Sequence, residues 1–91
     1  MRLSEIGPGF HGAVTRVAVD PSVRLGGLSA EELELRLTEM GFIAGARVEF
    51  LHQGLFGADP FAVKLDAMRI ALRRREAVGV FVRAADRGPQ A

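Results

Sequence analysis

The chain contains no cysteine, no tryptophan and no tyrosine among its 91 residues, and it has only two histidines. Without cysteine, disulfide bonds, zinc–thiolate sites and thiol catalysis are excluded. Twelve basic residues nearly balance eleven acidic ones, so the strong positive charge that is usual for nucleic-acid binders is missing. The longest hydrophobic runs, such as residues 78–82, fall far below the ~20 residues that span a bilayer. With no signal-peptide pattern near its start, the sequence predicts a cytoplasmic protein that does not insert into the membrane.

The length of the chain fits one domain built around one small core. We expect residues 1–83 to form this domain and residues 84–91 to form a flexible C-terminal tail. A domain of this size has little room for a sheltered pocket, and the sequence contains no phosphate-binding loop of the Walker type. We therefore expect the protein not to be an enzyme.

One segment carries a full set of helix signals. Ser29 and Glu32 have the spacing of a capping box, in which each side chain bonds the backbone N–H of the other residue. Leucines and a methionine then recur at helical spacing as far as a glycine that can end the helix. The pattern predicts a helix over residues 30–40, with Phe42 folding back onto Leu37 behind it.

Most of the remaining chain has the apolar alternation of β-strands. Strands are predicted over residues 11–19, 46–52, 61–65, 68–72 and 79–83. The third and fourth of these flank Asp66 and Ala67 and read as a hairpin, whereas residues 53–60 are expected to form a loop. One helical turn is expected over residues 74–78. The predicted architecture is mainly β (small α+β): a partly open five-stranded barrel with one α-helix inserted after the first strand and a short helical turn before the last strand.

Alternation also predicts which side chains face inward. The expected core consists of Val17, Val19, Leu33, Leu37, Met40, Val48, Phe50, Val63, Leu65, Ile70, Leu72 and Val80.

Several short motifs, taken in order along the chain, resemble those of the FeoA family of ferrous-iron-transport accessory proteins. The most specific is Met-Gly-Phe-Ile-x-Gly-x-x-Val at residues 40–48, and others lie at residues 3–6, 57–60 and 70–73. The sequence departs from the family at Ala44, where proline is usual, and at residues 67–68, where glycine and an aromatic residue are usual. The loop over residues 20–28 is also longer than expected.

The resemblance implies an SH3-like fold, which agrees with the strand count. It also implies a regulatory role beside FeoB, a membrane ferrous-iron transporter whose cytoplasmic part is a GTP-binding domain. We therefore expect a small cytoplasmic accessory protein that binds this domain and reaches the inner face of the membrane only through it. No cofactor is expected to be required, although the family is associated with transition metals, so weak binding of ferrous iron or manganese is a further expectation, with the ligands unknown.

Five residues are candidates for contact with this partner. Leu35 falls off the core face of the helix, and Leu55 and Phe56 are large apolar residues in a glycine-flanked segment; exposed apolar patches mark partner sites. Arg47 and Arg74 are arginines available for insertion into a GTPase site. The alternative for Leu55 and Phe56 is that they cap the open end of the barrel, and the alternative for residues 73–75 is a solvated face.

Other functions stay open at this stage. Small barrels also bind nucleic acid, and a similar barrel occurs as a domain of metal-responsive repressors, but six phenylalanines without tyrosine or tryptophan offer few stacking platforms. A direct metal sensor would need His11 and His52 to meet carboxylates such as Glu49 or Asp59. Exposed strand edges would also allow a homo-oligomer.

Overall fold

The fold is described from a computed structural model, in which residues 1–56 and 58–85 are defined. A 3₁₀ turn (Leu3–Glu5) is followed by β1 (His11–Val17), α1 (Ala30–Met40), β2 (Arg47–Phe56), β3 (Asp59–Leu65), β4 (Met68–Leu72), α2 (Arg74–Ala77) and β5 (Val80–Ala84). All strand pairs are antiparallel and form one sheet in the order β4-β3-β2-β1-β5. Because β4 and β5 do not pair, the sheet is not closed. The predicted mainly β, partly open architecture is confirmed, and neither helix of the described chain is long and apolar enough to cross a membrane.

Helix α1 has the predicted bounds because both of its ends are set locally. The Ser29 hydroxyl accepts from the Glu32 N–H at 3.2 Å, and the Glu32 carboxylate accepts from the Ser29 N–H at 2.9 Å. At the other end a glycine with φ of 112° turns the chain, and the Phe42 N–H donates to the Leu37 carbonyl at 3.1 Å. This is the predicted Schellman ending, and it delivers Phe42 to the core.

The segment between β2 and β3 differs from the prediction. The expected loop over residues 53–60 is wrong, because β2 continues to Phe56 and β3 begins at Asp59, so that the two strands form one long hairpin. Two register shifts in β2 break the apolar alternation here, which is why the pattern reads as a loop. A Cβ at Gly54 would overlap the Asp59 carbonyl, so the close pairing of the two strands requires glycine at this position.

The ends of β1 and β5 also differ from those predicted from the sequence. Strand β1 stops at Val17 rather than at residue 19, and the Val19 N–H leaves the sheet to donate to Glu34 Oε2 on α1 at 2.8 Å. Strand β5 includes Ala84, one residue beyond the predicted domain boundary. Residues 86–91 of the predicted tail lie outside the described residues.

The core lies between the concave face of the sheet, α1 and the N-terminal turn. Most of the predicted core residues are buried, while three pack against the core in half-buried positions: Val17, Met40 and Ile70. The sequence pattern missed a further group of buried apolar residues: Leu3, Ile6, Val14, Phe61, Ala77 and Val82. Leu3 and Ile6 were missed because their burial depends on elements far along the chain.

The two outer strands of the sheet differ in whether their free edges are covered by other residues. The Val82 N–H of β5 donates to the Met1 carbonyl at 2.8 Å, and Arg2 forms a bridge with Phe81. The Arg2 and Arg16 guanidinium carbons lie 5.3 and 4.1 Å from the centroid of the Phe81 ring. The N-terminal residues therefore cover the edge of β5, whereas β4 has no backbone partner other than β3 within the described ranges.

Candidate functional site

Arg74, the first residue of α2, has a side chain that forms four hydrogen bonds within the described part of the chain. Its Nη1 donates to the carbonyl oxygens of Ser4 at 3.0 Å and Ile6 at 2.6 Å. Its Nε donates to the Ala58 carbonyl at 3.2 Å, and its Nη2 donates to Gln53 Oε1 at 3.0 Å. One guanidinium therefore joins the N-terminal segment to β2 and to the turn between β2 and β3.

Arg74 makes two further contacts, one between its guanidinium and an aromatic ring and one through its backbone N–H. The guanidinium carbon lies 4.2 Å from the centroid of the buried Phe61 ring, which stacks on Phe50 with centroids 6.4 Å apart. The Arg74 N–H donates to Asp59 Oδ1 at 2.8 Å. A cation over an aromatic face stabilises by about 0.5–2 kcal/mol, depending on how far it is desolvated. The arginine thus ties the hairpin to the aromatic part of the core.

These contacts give Arg74 a structural role, because all of them are made to other residues of the same chain. The sequence offers no signal for it, because a run of three arginines is typical of a solvated face, yet Arg73 and Arg75 are exposed while Arg74 is half-buried. The prediction that Arg74 contacts a partner stays untested. What the contacts support is that it holds the part of the hairpin on which Leu55 and Phe56 lie.

The hairpin end, defined here as residues 53–59, extends away from the rest of the sheet. Strand β4 stops at the pair of Phe61 with Leu72, and Phe61 pairs with Gln53 on its other side, so residues 54–56 of β2 and 59–60 of β3 extend beyond the last pair that β4 makes with β3. Leu55 and Phe56 form the last two residues of β2, and their side chains lie outside the described part of the structure. The backbone therefore places two successive large apolar residues on a projecting segment.

The five predicted partner residues are spread over the molecule. Arg47 is the first residue of β2 and Phe56 is the last, so at ~3.3 Å per residue they lie up to about 30 Å apart. Leu35 is 59% exposed on α1. Arg74 bonds Gln53, Ala58 and Asp59 of the hairpin that also carries Leu55 and Phe56.

Among the exposed apolar residues that the sequence analysis did not identify, two lie near each other. Ile43 is 55% exposed and Met68 is 54% exposed. A Cβ at Gly41 would lie 3.8 Å from Met68 Cε, so the methionine lies over the end of α1, beside the segment that carries Ile43. This patch is at the opposite end of β3 from the hairpin end.

Arg47 lines an open groove of about 780 Å³ on the outer face of the sheet. In the register of the strands, Ala13 of β1 lies between Arg47 of β2 and Arg83 of β5. Glu49 and Lys64 also line the groove. Cationic and anionic side chains therefore alternate there, and the groove has no single charge preference.

The histidines are placed on neighbouring strands. His11 lies opposite Glu49 in the register of β1 and β2, and His52 is exposed further along β2. Across residues 1–56 and 58–85, no three His, Asp or Glu side chains are grouped closely enough to hold a metal ion. Weak binding of ferrous iron or manganese stays a prediction, with its ligands unknown.

Two carboxylates have shifted pKa values, and both serve local structure. The Ser29 backbone N–H, followed by its hydroxyl, lowers the pKa of Glu32. The Ser22 hydroxyl, followed by its backbone N–H, lowers the pKa of Asp20. These groups stabilise a helix cap and a turn, and neither is near the hairpin end.

Comparison with known proteins identifies relatives of this fold. A family model described as FeoA domain matches residues 1–84. The zinc complex of Stenotrophomonas maltophilia FeoA, described as a procaryotic SH3 domain protein, gives a TM-score of 0.72 at 32% identity and covers 91% of this chain and 89% of that chain. The solution structure of FeoA from Chlorobium tepidum gives 0.70 at 33% identity over 98% and 76%. No match was found among curated protein sequences. The predicted SH3-like fold is confirmed.

Proposed function

The chain belongs to the FeoA family, which is associated with ferrous iron transport, and from that premise we propose that it binds the cytoplasmic GTP-binding domain of a FeoB-type iron transporter. In this proposal the protein is an accessory factor that acts on the transporter in the cytoplasm. The Stenotrophomonas relative is described as a candidate activating factor of bacterial ferrous iron transport, which supports a role of the same kind.

The observation that carries the proposal is the hairpin end. It combines two adjacent apolar residues, Leu55 and Phe56, with a backbone that Arg74 fixes through Ala58 and Gln53. Loops and hairpins held by a rigid scaffold are common binding elements. A segment that is already ordered loses less conformational entropy on binding than a free loop, so more of its contact energy appears as affinity.

The direct experiment replaces the two apolar residues at the hairpin end. We expect the double variant Leu55→Asp/Phe56→Asp to bind the purified GTP-binding domain at least about tenfold more weakly than the wild type, because two apolar anchors are lost. The control is Ile43→Asp, which places one such charge at an exposed apolar position beside the opposite end of β3. The control should bind within about twofold of the wild type, as expected for a position outside the interface.

Two results would refute the proposal. One is a wild-type chain that does not bind the domain. The other is a folded double variant, verified by its circular dichroism spectrum and urea midpoint, that binds as tightly as the wild type.

A further inference from the structure

Strand β4 leaves one edge of the sheet open. Its only backbone pairing within the described chain is with β3, whereas β5 at the other end is covered by Met1 and Arg2. An uncovered strand edge offers hydrogen-bonding groups to any extended segment that can lie beside it.

The register identifies which groups of β4 are available. Strands β3 and β4 are joined by a two-residue turn, and the pair next to this turn is Leu65 with Met68. In an antiparallel hairpin of this kind, alternate pairs exchange hydrogen bonds, beginning with the pair beside the turn. The N–H and C=O groups of Arg69 and Ala71 therefore point away from β3, and both residues are exposed.

Cations outnumber acids beside this edge. Residues 64–76 contain two acids, Asp66 and Glu76, and five cations: Lys64, Arg69, Arg73, Arg74 and Arg75. The Asp66 carboxylate accepts from the Arg47 N–H at 3.0 Å, and the Glu76 carboxylate accepts from the Arg73 backbone N–H at 2.8 Å. The Arg74 guanidinium donates to Ala58 and Gln53 of the hairpin.

Arg69, in the edge strand, faces a cation of β3. Lys64 lies directly opposite Arg69 in the register, and like charges in that position destabilise a strand pair. On its other side Lys64 lies opposite Glu49 of β2, so the lysine has an acidic neighbour, whereas Arg69 has none in the register of the described strands. Acidic side chains on an incoming strand would relieve this repulsion.

We propose that the edge of β4 binds an extended, acidic segment of the transporter's GTP-binding domain as an added strand. The main-chain groups of Arg69 and Ala71 supply the hydrogen bonds, and Arg69 and Arg73 select acidic side chains. The short side chain of Ala71 leaves space for the incoming backbone. This inference rests on the proposed function and adds a second contact surface, separate from the hairpin end.

A second copy of this chain fits the edge less well. Pairing of β4 with β4 of another molecule would set Arg69, Lys64 and Arg73 beside the same cations of the partner copy. Cationic edges are one means by which proteins prevent such self-pairing. An acidic strand from a different protein is the occupant that the charge favours.

Two variants test the edge. Ala71→Pro removes an N–H that points away from the sheet, a change that edge strands tolerate. Arg69→Glu reverses the charge that selects the segment. We expect each variant to bind the GTP-binding domain at least about tenfold more weakly than the wild type. Ala71→Ser, which keeps the N–H, and Arg75→Glu, which makes the same charge change outside β4, should stay within about twofold.

Hydrogen exchange supplies a readout that does not depend on the variants. Binding of the domain should slow exchange at the amides of Arg69 and Ala71 by at least about tenfold, because these amides become hydrogen-bonded. If Ala71→Pro does not fold, Arg69→Glu and this exchange pattern decide the question.

The outcomes separate this inference from the proposed function. If the wild type binds the domain, but Arg69→Glu binds equally well and exchange at the two amides is unchanged, the edge proposal is wrong and the proposed function stands. If the wild type does not bind, both are wrong. A wild-type dimer in sedimentation that Arg69→Glu alters and that protects the two amides would identify a second copy as the occupant and overturn the proposal.

Discussion

The guanidinium of Arg74 donates to the carbonyl oxygen of Ile6 at 2.6 Å, although 68 positions separate the two residues along the chain. The same side chain reaches Ala58 and Gln53 in the hairpin and lies on the Phe61 ring. The N-terminal segment, the hairpin and the core therefore depend on one another through a single half-buried cation.

The first prediction concerns this cation. Arg74→Lys keeps the charge but cannot reach four acceptors in the fork geometry of a guanidinium, so it should lower the free energy of unfolding by about 2 kcal/mol. The measurement is urea denaturation followed by circular dichroism. The control Arg75→Lys changes an exposed arginine of the same run and should shift stability by no more than about 0.5 kcal/mol. Equal urea midpoints for the two variants would contradict the role assigned to Arg74.

The second prediction concerns the close approach of the hairpin strands. Gly54→Ala places a methyl group where the Asp59 carbonyl lies, so the strands must separate, at a cost of about 1–3 kcal/mol. Thermal unfolding of this variant can be compared with that of Gly7→Ala, since a Cβ at Gly7 meets no atom within 4 Å. Equal melting temperatures for the two alanine variants would contradict the close approach of Gly54 to the Asp59 carbonyl.

The third prediction is a pH dependence. The pKa of Glu32 is lowered in the folded chain, so the unfolded chain binds more protons as the pH falls through the usual range of a glutamate, about 4.3. This contribution to stability is present above that range and is lost as the pH falls through the lowered value. Urea midpoints at neutral and acidic pH should therefore show a smaller decline for Glu32→Gln than for the wild type. An equal decline would mean that the capping carboxylate contributes nothing to the acid sensitivity.

Local signals made part of the fold predictable. Helix α1 follows from Ser29, Glu32 and a glycine, each within one turn of a helix end. The β3–β4 hairpin was also predicted although its turn lacks glycine, and Asp66 takes the positive φ of 52° that the turn needs. Aspartate tolerates this region better than most residues, which is why the alternation on either side was a sufficient signal.

Long-range contacts account for what the sequence could not show. The burial of Leu3 and Ile6 and the inward turn of Arg74 arise from segments about 70 residues apart in the chain, and no local pattern encodes such a contact. The open edge of β4 was equally hidden, because an exposed edge depends on the order of the strands in the sheet. The sequence therefore indicates which types of residue the candidate site contains. Where those residues lie in the fold is given by the structure.

The most direct test of the account is a titration of isotope-labelled protein with the unlabelled GTP-binding domain of a FeoB-type transporter, followed by amide NMR. The account predicts that signals of residues 53–59 and of Arg69 and Ala71 change on addition of the domain, while the exposed face of α1 around Glu39 is left unchanged. A spectrum that does not respond to the domain, or changes confined to α1, would contradict it.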